Sequence, residues 1–62
     1  MTIVFHIADD EIAFDDEVIP RVGDRIEASH HPGTWRVTSV EWRVHREHGV
    51  DAVHIYTDKL TE

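Results

Sequence analysis

Residues 35–44 read Trp-Arg-Val-Thr-Ser-Val-Glu-Trp-Arg-Val, and the apolar side chains change parity partway along. Trp35 and Val37 share one parity; Val40, Trp42 and Val44 share the other. Successive side chains of a strand point to opposite faces, so a straight strand sends the two tryptophans to opposite sides. A bulge near Thr38-Ser39 keeps both on the core side and bends the strand. A long strand bent at its middle suits a small closed barrel, where it serves both halves of a folded-over sheet. The expectation is therefore one core holding Trp35 and Trp42. Trp42→Ala would then cost about 3–5 kcal/mol, as for a buried large side chain.

The rest of the chain alternates in the same way. In Thr2–Ile7, Ile3, Phe5 and Ile7 share one face, which is the period of a half-buried strand. Taking Asp9-Asp10 as the turn sets Ile7 against Ile12 and Phe5 against Phe14, apolar on apolar. Asp15-Asp16-Glu17 is a polar connection, and Val18–Asp24 reads as an irregular loop in which Val18, Ile19 and Val22 plug one end of the barrel and Gly23 takes a positive φ. Asp24–Ser29 is a strand, with His30–Gly33 as the following loop. That register places Ile26 opposite Val37 and Glu27 opposite Arg36. A turn at His48-Gly49 sets Trp42 against Ile55, Val44 against Val53, Arg46 against Asp51 and Arg43 against His54. No stretch shows the helical period.

These elements predict an all-β fold, a five- to six-stranded antiparallel SH3-like barrel spanning 1–62 as a single domain. The alternative is an open twisted meander that dimerises through an edge strand. A 62-residue chain buries a limited share of its surface, and it contains no cysteine to staple it. No signal peptide and no apolar run of membrane-spanning length is visible, so a soluble cytoplasmic protein is expected.

The formal charge of −7 comes from 13 acidic and 6 basic residues. Nucleic-acid affinity depends on neutralising phosphates with Lys and Arg, so this balance disfavours that class and anionic membranes. It permits a basic protein partner, steered electrostatically. Asp9, Asp10, Glu11, Asp15, Asp16 and Glu17 form the densest charge. They fit an acidic inhibitor or DNA mimic, or an edge that resists strand-to-strand aggregation. Arg36, Arg43 and Arg46 on the long strand are the residues that a nucleic-acid-binding barrel would use.

The 6 histidines are the remaining chemistry. His30 and His31 point apart if extended, and His45 and His48 differ in parity, so neither pair has the geometry of a zinc site. No cysteine is present, neither Ser29 nor Ser39 sits in a nucleophile elbow, and a barrel this small is filled by its own side chains. Neither catalysis nor a cofactor is expected.

The segments Ile19-Pro-Arg-Val-Gly-Asp-Arg-Ile26, Trp35–Trp42 and Val53-His-Ile-Tyr56 together resemble small SH3-like barrel proteins of unknown function from bacteria and their phages. The resemblance implies an SH3-like barrel and a bacterial or phage origin, with the host cytoplasm as the compartment in the latter case. It implies no catalytic or binding residues. The function expected is a non-enzymatic protein-interaction module, with self-association as a further expectation.

Overall fold

A computed structural model describes residues 1–61. Five strands form one sheet: β1 (Thr2–Ile7), β2 (Asp10–Asp15), β3 (Arg25–Ala28), β4 (His31–His45) and β5 (Gly49–Lys59). Their order is β2-β1-β5-β4-β3, which leaves β2 and β3 as edges. The expected meander was wholly antiparallel; instead β1 runs parallel to β5, with Ile3 beside Val53 and Phe5 beside Ile55. The sheet is therefore mixed. It curls so that β2 and β3 face each other across an apolar cleft of about 590 Å³, lined among others by Phe5, Ile12, Phe14, Ile26 and Ala28. The result is a half-barrel with an open seam.

The three central strands supply the core. Ile3 and Ile7 of β1, Trp35 and Val37 of β4, and Val53 and Ile55 of β5 are buried. Phe5, Ile19, Ile26 and Val40 pack against them. The alternation identified these inward positions because one face of each strand is dry and the other is wet.

The bend in β4 falls where the parity change places it. The β4–β5 register shifts between Val37, opposite Thr57, and Ser39, opposite Tyr56, leaving Thr38 as the extra residue. Its hydroxyl donates to the Tyr56 carbonyl at 3.2 Å. A second shift, not foreseen, lies between Arg43 and Val44 and leaves Asp51 as the extra residue on β5.

Beside the core each hairpin differs from expectation by two residues, and past the later register shifts by more: Val44 pairs with Val50 rather than Val53, and Ala28 with His31. Phe5 pairs with Ile12 rather than Phe14, Ile26 with Trp35 rather than Val37, and Trp42 with Val53 rather than Ile55. A two-residue slip keeps every side chain on its face, so alternation permits either register and the turn decides. The first turn uses Ala8 at φ 53° rather than Asp9-Asp10. The second is Ser29-His30, with β4 already begun at His31. The third is Arg46–His48, with Gly49 opening β5 at φ 77°. Gly33, within β4, has φ 99° and lies under the Lys59 side chain, 3.0 Å from where a Cβ would sit. The positive φ strains any other residue there, while the Lys59 side chain could shift to admit a Cβ.

Trp42 is the main correction to the core. It lies on the same side as Val40 but is 49% exposed, whereas Trp35 is 8% exposed. β1 accompanies β5 only from Ala52 to Tyr56, so nothing from β1 reaches past Trp42. The β4–β5 hairpin continues as a two-stranded arm, and the molecule measures 43 × 20 × 19 Å. Of the loop residues expected to plug the end, Ile19 packs on the core while Val18 and Val22 are exposed.

Candidate functional site

The six acidic residues named above do not make one patch. β2 strings them along its length and at both ends, and most hold a local partner. Asp10 Oδ2 meets His31 Nε2 at 2.7 Å, and Glu11 Oε1 lies 3.6 Å from His6 Nδ1. Asp15 Oδ1 binds the Met1 ammonium at 2.8 Å, while Asp16 Oδ1 accepts from the Glu17 and Val18 amides. The Met1–Asp15 hydrogen bond, with their charge attraction, holds the Asp15 carboxyl below its ordinary value of 3.8. The same hydrogen bond raises the amine above 8.0. On an edge strand such carboxylates discourage pairing with another chain.

The three arginines are likewise dispersed. Arg36 stands opposite Arg25 on β3 and Asp58 on β5; the expected partner Glu27 is displaced by the two-residue register change. Arg43 Nε donates to Glu41 Oε1 of its own strand at 2.9 Å. It faces Ala52, and His54 faces Glu41 instead. Arg46 sits in the tip turn and, among the described residues, the expected Asp51 pair is not formed. At roughly 3.3 Å per residue, Arg36 and Arg43 are more than 20 Å apart along β4. No continuous basic track joins them.

Two histidines meet on the outer face, where no site was expected. His6 Nε2 and His54 Nδ1 are 2.7 Å apart. One ring must donate and the other accept, so the contact holds a single proton. The His6 ring also stacks on Tyr56, centroids 4.3 Å apart. Parity already put His6, His54 and Tyr56 outside; the missing information was the parallel β1–β5 adjacency. His31 is edge-on to Trp35, and the His45 and His48 rings stack at the arm tip. Among the described residues, no group of three or more His, Asp or Glu side chains is placed to hold a metal ion.

The arm carries a run of exposed apolar side chains. Trp42, Val44 (70% exposed) and Val50 stand out from it, with Val22 (64%) close to its base. Ile19, Pro20, Arg21, Val22, Val40 and Trp42 line a shallow groove of about 450 Å³ there. Trp42 thus stands half in water among branched aliphatic side chains.

No helix among the described residues is long and apolar enough to cross a membrane. Comparison of the chain with protein-family models, with curated proteins and with solved structures finds no match.

Proposed function

We propose that this chain is a non-enzymatic protein-interaction module whose contact surface is the β4–β5 arm. The half-exposed Trp42, set among Val22, Val40 and Val44, carries the reading. A tryptophan left half in water forgoes burial, at about 25 cal/mol per Å² of apolar area, that a partner can supply. Tryptophan is also enriched among the residues that dominate binding energy. The half-barrel is read as an SH3-like barrel with an open seam, of bacterial or phage origin as the resemblance implies. The acidic stretch is read as tuning solubility and steering rather than as a DNA mimic, since four of its six carboxylates hold local partners.

A photo-crosslinking residue at position 42, compared with one at position 16, tests this in the cells that make the protein. A discrete adduct from position 42 is expected. Adducts only from position 16 transfer the role to the acidic stretch, and none from either site removes the interaction reading.

A further inference from the structure

The arm has a second property besides apolar exposure. From Ser39 to His45, β4 pairs with β5 on one side only. β3 covers β4 at His31, Trp35 and Arg36, and the Gly23–Asp24 backbone covers Val37. Beyond that, no described backbone group bonds the outer edge of β4. This free edge is also regular, because the extra residues fall at Thr38, before it begins, and at Asp51 on the other strand.

We propose that the free edge of β4 is occupied by a second copy of this chain, paired antiparallel about a two-fold axis at Trp42. The inference rests on the arm being the contact surface and names its occupant. The segment Val40-Glu41-Trp42-Arg43-Val44 is complementary to its own reverse. A two-fold at Trp42 sets Val40 opposite the second copy's Val44, and Glu41 opposite the second copy's Arg43, each twice by symmetry. Trp42 meets its own copy at the centre. Apolar residues thus meet apolar on the inner face, and opposite charges meet on the outer face, which is how cross-strand pairs stabilise a sheet. A symmetric dimer needs such a self-complementary patch.

Charge and area favour the same occupant. Two chains of charge −7 repel, so contact belongs where charge is least. Residues 41–51 hold two arginines against three carboxylates, a net −1 of that total. A basic partner would be drawn to the acidic remainder instead. The described residues expose 4702 Å², whereas a compact monomer of 7.2 kDa exposes about 4,100 Å². Burying that excess on two copies comes to roughly 1,200 Å², the lower end of specific interfaces.

Sedimentation of the purified protein from low micromolar to near-millimolar concentration tests the proposal. The wild type is expected to dimerise. Glu41→Arg and Arg43→Glu, both at exposed positions, are each expected to weaken the dimer roughly tenfold by setting like charges opposite. The double reversal restores it, because the two-fold again pairs opposite signs. Circular dichroism confirms that each variant is folded. A wild type that stays monomeric throughout, or a double reversal no tighter than the single variants, overturns the second copy as occupant. If such a monomer still gives an adduct to another protein from position 42 in cells, the arm remains the contact surface. If it gives no adduct there, both readings fall.

Discussion

His31, the first residue of β4, meets Asp10, the first residue of β2, with Nε2 and Oδ2 2.7 Å apart. Strands β1 and β5 lie between β2 and β4 in the sheet, so the contact spans the open side of the half-barrel. It fastens an edge strand to the β3–β4 hairpin where no backbone bonds do. His31 is mostly buried against Trp35, while Asp10 stays largely in water. Screening therefore limits what the pair contributes, and a double-mutant cycle on His31→Ala and Asp10→Ala should give a coupling of about 0.2–1 kcal/mol. Denaturant unfolding measures it. No coupling would mean that the seam is held by apolar contact alone.

Ala8 sits at φ 53° in the first turn, a conformation that costs an L-residue roughly 1–2 kcal/mol. Ala8→Gly relieves the strain but loosens the unfolded chain, which returns about 0.4–1 kcal/mol. A net stabilisation of about 0 to 1.6 kcal/mol is expected in thermal or denaturant unfolding. A destabilised variant would place the turn elsewhere, at Asp9-Asp10.

The two tryptophans should behave differently. Trp35→Ala removes a buried ring and should cost about 3–5 kcal/mol, enough to unfold much of the population of so small a domain. Trp42→Ala, measured at a concentration where the chain is monomeric, should cost roughly 1–2 kcal/mol, since about half its surface is already wet. Unfolding by both variants alike would return Trp42 to the core.

The Met1–Asp15 pair makes two opposite contributions to the pH profile. Asp15 is held below 3.8 in the fold, so its stabilisation is present above that value and fades as pH falls through the folded value. The amine is raised above 8.0, so its stabilisation is present below that value and is lost as pH rises through the raised one. The contribution of the pair is therefore flat between about pH 4 and 8 and declines at both ends. Asp15→Asn should abolish the difference in melting temperature between the free and the acetylated amine. An unchanged difference would show that the contact does not persist in solution.

Much of this fold was legible in the sequence, and the unread parts share a physical cause. The parity change at Thr38-Ser39 gave the bulge, because a face of β4 must stay dry on both sides of it. The inward sets Ile3/Phe5/Ile7 and Val53/Ile55 followed from alternation in the same way. The hairpin registers did not, because pairing Phe5 with Ile12 or with Phe14 buries the same face. The parallel β1–β5 contact joins strands far apart in sequence and leaves no local signal. It is this contact that brings His6 to His54 and that stops short of Trp42. The exposure of Trp42 depends on where a neighbouring strand ends, which no pattern within residues 35–44 encodes.

On this reading the β4 edge from Ser39 to His45 is a contact surface left free in the single chain. Amide hydrogen exchange across this segment, at a low and a high protein concentration, tests it most directly. Alternate amides of 39–45, those turned away from β5, should exchange rapidly in dilute protein and become protected in concentrated protein, while Val53 and Ile55 are protected in both. Equal protection of the 39–45 edge at both concentrations would contradict it.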